Sequence, residues 1–591
     1  MTIAETPAAV LLRKQRALRR ELQRPNMLQT RIAFLCGSTP NEVAGLLELL
    51  LLEQGIEPVF YFSDYNKYFE EAVLDPARLI EFKPDIVFVY TSTANIQGWP
   101  AMNASEADLR AHVAAENMRF TAIWNALEQS IKGVIIQNNF ELPQYRLLGN
   151  LDATSPAGRT RYVNLLNAEL TRDAASRRNV FINDLNSVAA SVGLKTFHDP
   201  GRWFSYKIAT TPEASLEVAK SAAAIVRAVY GRMRKCLVLD LDNTLWGGVI
   251  GDDGPDKIRI GKETAEAEAY TAFQEYCLQL RSRGVLLAVC SKNSEAIARK
   301  GFEHPDSVLK QHHFSCFKAN WEPKHENLKA IAAELNIGLD SLVFVDDNPA
   351  EREIVSAQLP MVAVPNVGSD VTRFIPLLED GRYFEPARLS REDLNRAQQY
   401  EENAQRESLQ SRFQNYEEYL ESLEMSAEIA AFKPVYLDRI TQLINKTNQF
   451  NLTTRRYTQA QVEAIAGERG YIALYGKLSD KFGDNGLISV IIGRKEKRVL
   501  HLDLWIMSCR VLKRGMEAAM LDALVAECRE HGVSEIRGYY IPTERNGLVA
   551  EHYAALGFEA AGGNGQTTEW KMAVTDGYAP RNRHIKEFVH E

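Results

Sequence analysis

Short apolar segments that end in a polar residue alternate along this chain with stretches long enough to form a helix. They lie at residues 31–38, 59–62, 85–90 and 133–137, and a second series lies at 235–240, 285–290 and 342–346. Such alternation predicts parallel sheets covered by helices on both faces. Because ligands of open parallel sheets bind beyond the carboxyl ends of the strands, the polar residues there are the first site candidates.

Composition limits the class of protein. Of the 591 residues, 45% are hydrophobic and 25% are charged, a globular balance that excludes a disordered or collagen-like chain. The 69 Lys and Arg residues against 77 Asp and Glu residues give a net charge of −8, so we expect no nucleic-acid and no membrane partner. Seven cysteines without a CxxC pair predict a reducing, cytoplasmic location. No apolar run approaches the ~20 residues that span a bilayer.

Changes in pattern predict the domain boundaries. We expect an N-terminal helix at residues 1–27, an α/β domain at 28–228, a second at 232–378, a charged helical connector at 379–425, a third domain at 426–577 and a tail at 578–591. In the third domain, an alternating strand at 500–507 precedes an amphipathic helix that ends near Gly532. The predicted fold class is α/β and multidomain.

Asp240 and Asp242 directly follow the first strand of the second series, in the sequence Asp-Leu-Asp-Asn-Thr. Two carboxylates at this spacing beyond a strand end can face one site, where one attacks phosphorus and the other handles the proton. Crowded carboxylates also require a cation, and Mg²⁺ prefers a few oxygen ligands together with phosphate and water. The pair therefore predicts a magnesium-dependent phosphoryl site.

The partners of such a site follow in order along the chain. Ser291 follows the second strand and offers a hydroxyl to a phosphoryl oxygen, and Lys324 precedes a helix and offers a positive charge. Asp346 and Asp347 follow the third strand. Lys318 is the alternative to Lys324. The order DxDxT, Ser, Lys, Asp-Asp resembles the haloacid dehalogenase (HAD) superfamily of phosphohydrolases and phosphotransferases.

This resemblance implies a HAD-like Rossmannoid sheet in which Thr244 contacts the substrate. The side chains implied to hold Mg²⁺ are those of Asp240, Asp242, Asp346 and Asp347. Only 51 positions separate the first aspartate from the serine, and 33 separate the serine from the lysine. Neither interval accommodates the large cap domain that many members insert there. We therefore expect a minimal cap and an open site, which accepts a bulky or carrier-tethered substrate or is closed by a neighbouring domain.

A second chemical unit lies at residues 509–515, between the alternating strand and the amphipathic helix. Backbone N–H groups at such a helix start form an anion nest suited to a pyrophosphate or a phosphopantetheine phosphate. The segment is similar to the loop of the Gcn5-related acyltransferases (GNAT), whose α+β fold binds the pantetheine arm of CoA. Lys513 replaces the first glycine of the usual Arg-x-x-Gly-x-Gly loop. The resemblance assigns carrier binding to Arg510, Lys513, Gly515, Asn546 and Tyr553.

Several segments together resemble the FkbH-like family. They are residues 239–250, 290–293, 320–324, 345–352, 445–456, 509–512 and 540–543. Members of this family remove phosphate from 1,3-bisphosphoglycerate and transfer the glyceryl group as a thioester to an acyl carrier protein. The resemblance implies two partners in polyketide-type biosynthesis: a small phosphorylated three-carbon substrate, and the phosphopantetheine arm of an acyl carrier protein.

The acyl group in this reaction requires a thiol. A thiolate can accept it while the Asp240 site hydrolyses the phosphate ester. The candidates are Cys509, beside the predicted pantetheine loop, and Cys290, adjacent to the predicted site serine. Arg455 and Arg456 are candidates for a phosphate contact at the acyl site or at a seam between domains, and the alternative for their segment is a helix end with a solvated turn.

The first domain is similar to the SGNH-hydrolase-like domain found before some FkbH-like cores, with a flavodoxin-like parallel sheet. Ser38 follows the first strand, where a nucleophile would lie, and Asn95 or Asn138 could supply an oxyanion donor. The expected Asp-x-x-His pair is missing, because Asp184 has no His three residues on and His198 has no Asp three residues before it. We therefore expect a binding or scaffolding role, such as docking the carrier, rather than an esterase.

Two alternatives to the glyceryl transferase/phosphatase remain open from the sequence. One is a HAD phosphatase acting on a sugar phosphate or another small phosphate ester, with the third domain only assisting substrate binding. The other is a carrier-docking scaffold with secondary phosphatase activity. The three functional hypotheses differ in whether a carrier becomes loaded and whether phosphate is released.

Overall fold

The structure, a computed structural model, describes residues 3–25, 27–131, 133–389, 391–410, 412–447, 449–543, 546–563 and 567–587. The chain forms two compact units. One comprises residues 1–232 with 458–461, and the other comprises 233–457 with 462–591. None of the described helices is both long enough and apolar enough to cross a membrane.

The first unit is built on a five-stranded parallel sheet. Its strands are β1 (Leu28–Cys36), β2 (Ile56–Phe62), β3 (Ile86–Tyr90), β4 (Val134–Asn138) and β5 (Val180–Asn183). They lie in the order β2-β1-β3-β4-β5 with parallel neighbours throughout. This is the predicted flavodoxin-like arrangement. Successive residues of β1 point to opposite faces, so Phe34 packs in the core on one side and Leu35 in the core on the other.

Nine helices in the described part of this unit accompany the sheet. They are α1 (Ala8–Leu22), α2 (Asn41–Glu53), α3 (Ala77–Phe82), α4 (Glu106–Ser130), α5 (Arg159–Ala175), α6 (Leu185–Val192), α7 (Leu194–Phe197), α8 (Pro200–Tyr206) and α9 (Pro212–Val229). Ser105 caps α4, with its hydroxyl accepting the N–H of Asp108, and Thr211 caps α9 in the same way. Strand ends and helix starts therefore alternate along one edge of the sheet, as the sequence predicts.

The second unit begins with a four-stranded parallel sheet. Its strands are β6 (Cys236–Leu239), β7 (Leu286–Ser291), β8 (Cys316–Ala319) and β9 (Leu342–Val345), in the order β8-β7-β6-β9. Leu239 pairs in register with Val289 on one side and with Val345 on the other. The residues that follow β6, β7 and β9 consequently meet at one edge, where the sequence predicts the phosphoryl site.

The helices that follow residue 233 along the chain run from α10 to α22. They are α10 (Ile250–Asp253), α11 (Ala265–Ser282), α12 (Glu295–Lys300), α13 (Lys324–Glu334), α14 (Pro349–Gln358), α15 (Phe374–Asp380), α16 (Arg391–Leu394), α17 (Arg396–Gln410), α18 (Tyr416–Ser422), α19 (Leu437–Lys446), α20 (Gln459–Gly467), α21 (Met516–Glu530) and α22 (His552–Ala555). Helices α16, α17 and α18 occupy the segment predicted as a connector. Between β6 and β7 the chain forms only the short α10 and the core helix α11, so the cap is minimal, as predicted.

A mixed sheet of eight strands organises the C-terminal part of the described chain. Its strands are β10 (Ser426–Ala431), β11 (Tyr471–Asp480), β12 (Gly483–Glu496), β13 (Val499–Met507), β14 (Glu535–Tyr540), β15 (Glu559–Gly563), β16 (Thr568–Ala573) and β17 (Lys586–Glu587). Their order is β15-β16-β14-β13-β12-β11-β10-β17. Met516, Met520 and Leu524 of α21 pack in the core that this sheet shares with its helices. The α+β organisation agrees with the predicted fold class.

Strands β13 and β14 pair in parallel only from Val499 to His501 and then separate. The chain fills the split with its own backbone. Asn451 forms an antiparallel bridge with Ile506. The N–H of Leu452 donates to the carbonyl of Trp505 at 3.3 Å, and the carbonyl of Leu452 accepts the N–H of Ile541 at 2.8 Å. The backbone groups that the split would expose are therefore satisfied within the chain.

Candidate active site

The carboxyl edge of the β8-β7-β6-β9 sheet brings the predicted phosphoryl-site residues together. Asp240 follows β6, and Lys324 begins α13 with its side chain buried. The Lys324 ammonium lies 2.8 Å from Asp240 Oδ2 and 2.5 Å from Asp346 Oδ2. Burial works to lower the pKa of Lys324, but the two carboxylates outweigh it and raise the pKa above its ordinary value. The side chain is therefore a permanent positive charge.

Three carboxylates form a compact oxygen cluster at this edge. One oxygen from each of Asp240, Asp346 and Asp347 lies within 4.8 Å of the others. Burial raises the pKa of Asp346 to about 6, with the charge of Asp240 adding to the effect, and both raise the pKa of Asp347. Crowded carboxylates of this kind repel one another until a cation neutralises them. An all-oxygen set suits a hard divalent cation such as Mg²⁺.

Asp242 is held differently and lies outside this cluster. Its Oδ1 accepts hydrogen bonds from the Trp246 indole at 2.9 Å and the Ile250 N–H at 3.0 Å, while Oδ2 accepts from Asn293 Nδ2 at 3.0 Å. Burial raises its pKa above the ordinary value of an aspartate. A fixed carboxyl with a raised pKa suits proton transfer. The structure therefore favours the predicted proton-handling role of Asp242 over its predicted role as a side-chain metal ligand.

An open cleft of about 200 Å³ lies over these residues. Its lining is polar and comes from segments that follow β6, β7 and β9 and from the start of α13: Asp240, Asp242, Asn243, Ser291, Lys292, Lys324, Asp347, Asn348 and Glu351. Ser291 faces the cleft as predicted. Thr244 Oγ1 donates to Asp347 Oδ1 at 3.3 Å, so Thr244 positions a carboxylate rather than lining the cleft. The geometry suits a phosphate ester that approaches from solvent.

Lys318, the alternative to Lys324, lies elsewhere. Its ammonium pairs with Glu334 Oε2 at 2.6 Å on α13. It also lies opposite Cys290 in the strand register, whereas Ser291 lies opposite Ala319. Lys324 is therefore the cation of the site.

Three further residues support the site, although no role was predicted for them from the sequence. Trp246 and Asn293 hold Asp242, as described above. Arg352 Nη1 donates to the carbonyls of both Asp346 and Asp347 at 2.7 Å, which fixes the paired aspartates. All three lie within or beside the motif segments, so their positions were visible in the sequence. Their hydrogen-bond partners depend on how the loops turn, which the sequence pattern does not reveal.

Cys290 and Cys509 have different environments. Cys290 is fully buried in the core beneath the sheet, its Sγ 3.7 Å from the Lys324 carbonyl, and burial raises its pKa. It is thus a protonated core thiol, which argues against Cys290 as the acyl carrier. Among the described cysteines Cys509 alone is partly exposed. Burial raises its pKa as well, although the nearby Lys235 ammonium works in the opposite direction.

Cys509 lies at the opposite end of the β6 sheet from Asp240. Its carbonyl accepts a hydrogen bond from Asn336, which follows α13, and its thiol interacts with Lys235, the residue before β6. Strand β6 advances about 3.3 Å per residue, so the two edges are roughly 16 Å apart. An acyl group bound to Cys509 therefore cannot contact Asp240 unless it is transferred to an arm that spans this distance.

The predicted anion nest before α21 is filled by the chain itself. The Glu517 carboxylate accepts the Lys513 N–H at 3.2 Å, and the N–H of Gly515 also interacts with it. Lys513 and Gly515 adopt left-handed conformations, with φ of 63° and 85°. Arg510 turns away to donate to Ser508 Oγ at 3.3 Å, and burial lowers its pKa to about 10. The loop has the shape of an anion site, but a carboxylate of the chain occupies it.

Asn546 and Tyr553 are structural. Asn546 Nδ2 donates to the carbonyls of Asn451 and Ile541 at 2.9 Å, which clamps the segment that fills the β13–β14 split. Tyr553 is fully buried, its ring 6.3 Å from that of Trp505 and 5.0 Å from that of Phe558. Their predicted carrier contact is not supported, because neither side chain reaches the surface.

Arg455 and Arg456 also lie away from the phosphoryl cleft. Arg455 pairs with Asp503 at 2.5 Å, and Arg456 donates to the carbonyl of Ile444 at the end of α19. Neither contributes to the cleft lining. Their predicted contact with phosphate at the acyl site stays a prediction.

The first unit holds no assembled Ser-His-Asp triad among its described residues. Ser38 is buried, and Asp184 caps α6 and accepts from Asn139. His198 bonds through Nδ1 to the carbonyl of Ala209, and its Nε2 lies 3.5 Å from the buried Glu141. The expectation that this domain binds or scaffolds rather than hydrolyses esters stays a prediction.

Comparisons with known proteins agree with this geometry. The model of the FkbH N-terminal domain matches residues 43–227. The crystal structure of the N-terminal part of BF1531 from Bacteroides fragilis, containing a phosphatase domain and complexed with Mg, is 30% identical. The match covers 63% of this chain and 99% of that one, with a TM-score of 0.58. None of the curated proteins matches this chain.

Two acetyltransferase structures overlap a smaller part of the chain. The ribosomal-protein-S18-alanine N-acetyltransferase from Escherichia coli is 11% identical, covering 26% of this chain and 99% of that one, with a TM-score of 0.20. Ard1 from Thermoplasma volcanium is 17% identical over 26% of this chain and 99% of that one, with a TM-score of 0.21.

The β8-β7-β6-β9 sheet, with Asp240, Asp242, Ser291, Lys324 and the paired aspartates at its carboxyl edge, defines an enzyme with a HAD-type phosphatase site. The identity shared with BF1531 extends across nearly all of that structure, and the N-terminal domain model matches as well. The chain belongs to the FkbH-like family.

Proposed function

We propose that this enzyme is a Mg²⁺-dependent glyceryl transferase/phosphatase. It dephosphorylates 1,3-bisphosphoglycerate and delivers the glyceryl group as a thioester to the phosphopantetheine arm of an acyl carrier protein. The observation that carries the phosphatase half is the contact of Lys324 with both Asp240 and Asp346 at an open polar cleft. Family membership supports the transfer half.

The donor set fits magnesium. BF1531 was crystallised with Mg, and Asp240, Asp346 and Asp347 offer converging oxygens here. These three residues would hold the ion. When bound, Mg²⁺ supplies positive charge to the phosphoryl oxygens.

The residues of the chain divide the phosphatase chemistry between them. Asp240 attacks phosphorus, and the bond between phosphorus and the ester oxygen breaks while Asp242 gives its proton to the leaving oxygen. Ser291 and Lys324 hold the phosphoryl oxygens. Asp242 then takes a proton from water as that water hydrolyses the aspartyl phosphate, which releases inorganic phosphate and restores Asp240.

The acyl half needs a thiol to accept the acyl group and an arm that carries this group from one end of the sheet to the other. A thiolate attacks the acyl-phosphate carbon, phosphate leaves, and a thioester forms. Cys509 is the first candidate within the chain, because it is partly exposed and faces the Lys235 ammonium. A flexible pantetheine arm then covers the distance to Asp240 without diffusion of a free intermediate.

The test supplies 1,3-bisphosphoglycerate, Mg²⁺ and a panel of phosphopantetheine-bearing carrier proteins, and follows carrier mass and phosphate release. A glyceryl-loaded carrier together with phosphate supports the proposal. Phosphate release without carrier loading supports the alternative, a phosphatase that acts on small phosphate esters. The raised pKa of Cys509 favours this alternative, because a protonated thiol is a poor acyl acceptor. If neither a loaded carrier nor phosphate is formed, the result supports the carrier-docking scaffold.

The thiol assignment has its own readout in the same assay. Cys509→Ala should abolish a glyceryl adduct on the enzyme, whereas Cys528→Ala, which alters a buried core thiol, should preserve it. Intact mass of the enzyme separates the two. Loading that persists unchanged in the Cys509 variant would assign the attack to the carrier thiol directly.

A further inference from the structure

A small charged cavity lies at the amino edge of the β8-β7-β6-β9 sheet, opposite the phosphatase cleft. Its volume of about 20 Å³ has room for one water-sized group, such as an oxygen of a phosphate. The charged residues of its lining precede β6 and β7, lie in α16 and α17, and end α19. Among the described residues of this lining there are four cations and one carboxylate: Arg234, Arg283, Arg396, Lys446 and Asp393.

The carboxylate of Asp393 is shared between two of these cations. Its Oδ1 lies 2.9 Å from Lys446 Nζ and also pairs with the Arg396 guanidinium, while Gln442 Nε2 donates to its Oδ2 at 2.8 Å. One negative charge is thus divided between two positive charges, and the two other arginines of the lining add to the positive charge. The cavity is therefore electropositive.

The cavity is built into the backbone. Gly284, in the turn before β7, has a φ of 92°, and a Cβ on this residue would lie 1.9 Å from the carbonyl oxygen of Asp393. Only glycine allows this approach, by which α16 docks on the turn. Arg396 Nη1 donates to the carbonyl of Gly284 at 3.0 Å, and Arg234 Nη1 donates to the carbonyl of Met361 at 2.8 Å. These bonds hold both guanidinium groups at the edge of the sheet.

The positive charge continues from the cavity to Cys509. Lys235, the residue after Arg234, lies within electrostatic range of both the Cys509 thiol and the Arg396 guanidinium. Arg510 lies within range of the same two groups. Burial lowers the pKa of Lys235 and of Arg510, and the charge of Arg396 acts in the same direction on each. Cavity and thiol therefore share one cationic environment.

The charge of this environment selects the kind of anion. Burial lowers the pKa of Lys446 to about 7, and Arg396 acts in the same direction although Asp393 opposes it. A multiply charged anion would relieve this repulsion, whereas a singly charged phosphodiester, as in a phosphopantetheine arm, would leave much of it. Guanidinium groups also match phosphate oxygens in geometry. The site therefore suits a phosphate monoester or an acyl phosphate.

We propose that the cavity and the cations leading to Cys509 form a second phosphate site, which holds a small phosphorylated acyl substrate beside the thiol. This inference rests on the proposed function and names the place of its acyl half. The phosphate held here is not the one that Asp240 attacks, because the two sites lie at opposite edges of the sheet. When the Cys509 thiol has lost its proton to water, its sulfur attacks the acyl carbon. The C–S bond forms, the C–O bond to the phosphate breaks, and the leaving phosphate takes the electron pair.

Alkylation of Cys509 by a charged and a neutral reagent reads the charge beside the thiol. Iodoacetate is an anion and iodoacetamide is neutral, and the mass of the Cys509 peptide follows both reactions in EDTA. We expect the ratio of the iodoacetate rate to the iodoacetamide rate to fall at least about fivefold in Arg396→Gln and in Lys235→Gln. Arg537→Gln removes a half-exposed arginine of β14 that pairs with Glu535, and it should leave the ratio unchanged.

Protection of the thiol identifies the anion. In EDTA, 3-phosphoglycerate should slow the reaction of Cys509 with iodoacetamide at least about fivefold in the wild type and to the same extent in Asp240→Asn. Arg396→Gln should lose this protection. Phosphopantetheine, the probe for the phosphate of a carrier arm, should protect more weakly.

A rate ratio that stays at the wild-type value in both Arg396→Gln and Lys235→Gln overturns the site. Protection by phosphopantetheine but not by 3-phosphoglycerate overturns its assignment to a small phosphorylated substrate. Protection that disappears in Asp240→Asn also overturns it, because the ligand would then bind at the other edge. Failure of the proposed function is distinguishable: no carrier is then loaded, while the rate ratio and the protection still report on this site.

Discussion

Lys324 Nζ lies 2.8 Å from Asp240 Oδ2, and the same ammonium bridges to Asp346. One cation therefore serves both the carboxylate proposed to attack phosphorus and one of the carboxylates suited to hold the metal. This arrangement places positive charge between two buried carboxylates, at the cleft where phosphoryl oxygens would arrive.

Replacement of the attacking carboxylate should stop phosphate release. Asp240→Asn keeps the shape of the side chain but removes its nucleophilicity, so we expect a loss of at least about a thousandfold in kcat. Asp256→Asn, on an exposed loop of the same domain, should retain full activity. Both are measured by phosphate release from 1,3-bisphosphoglycerate and from a small phosphate ester. Residual activity within tenfold of the wild type would assign the attack to another group.

Removal of the bridging cation should cost stability as well as activity. Lys324→Met leaves Asp240 and Asp346 buried without their counter-charge, and loss of one partner from a buried pair costs about 3–5 kcal/mol. We expect this loss in the free energy of unfolding measured by urea in EDTA, and a partial recovery in Mg²⁺. Lys318→Met breaks a more exposed pair with Glu334 and should cost about 1 kcal/mol or less. Equal losses in the two variants would contradict the bridging role.

His552 should make the protein less stable in mild acid. It packs between Phe450 and Trp505, with ring centroids 4.9 and 4.6 Å away, and burial lowers its pKa from 6.5 to about 3. The unfolded chain binds a proton between these two values while the folded chain does not. The stabilising contribution is therefore complete above pH 6.5 and is lost as the pH falls toward 3.

This one group should cost about 2 kcal/mol of stability at pH 5 relative to pH 8. His552→Phe should remove that difference from the urea unfolding curves. His531→Gln, an exposed histidine at the end of α21, should preserve it. The same pH dependence in wild type and His552→Phe would show that other groups cause it.

The self-filled nest before α21 should make CoA a poor ligand. Because Glu517 accepts the Lys513 N–H, a diphosphate finds the nest occupied by a like charge. We expect CoA to bind no more tightly than pantetheine, and Glu517→Ala to strengthen CoA binding about tenfold, or about 1.4 kcal/mol. Calorimetric titration measures both, with Glu527→Ala of the same helix as control. Tight CoA binding by the wild type would refute the occupied nest.

Much of the HAD-like site was predictable because its chemistry follows strand ends. A strand that stops at Leu239 delivers Asp240 to the sheet edge whatever the rest of the chain does, and the same holds for Ser291 and Asp346. The preference for Lys324 over Lys318 also followed from placement before a helix. Each of these positions could be predicted from its own short segment of sequence, because a short apolar strand there ends in a polar residue.

The C-terminal predictions were weaker because they depended on long-range contacts. Asn546 is the residue type expected at this position, but its side-chain amide donates to the carbonyl of Asn451, which is far away in the sequence. Whether the nest is occupied depends on the rotamer of Glu517. Whether the Asp242 carboxylate is free to bind a metal depends on the turn that brings the Trp246 indole to it. No periodicity or spacing reports such contacts.

The segment at residues 450–452 ties the two sides of the split sheet together. Its backbone bonds to β13 on one side and to Ile541 on the other, although both partners are synthesised later. The C-terminal sheet therefore cannot close on the ribosome until residue 541 has emerged, and until then the side of the 450–452 segment that later bonds to Ile541 is an unpaired edge. Truncations that end before this point should yield chains that aggregate during synthesis, and expression of this domain depends on carrying it through to its last strands.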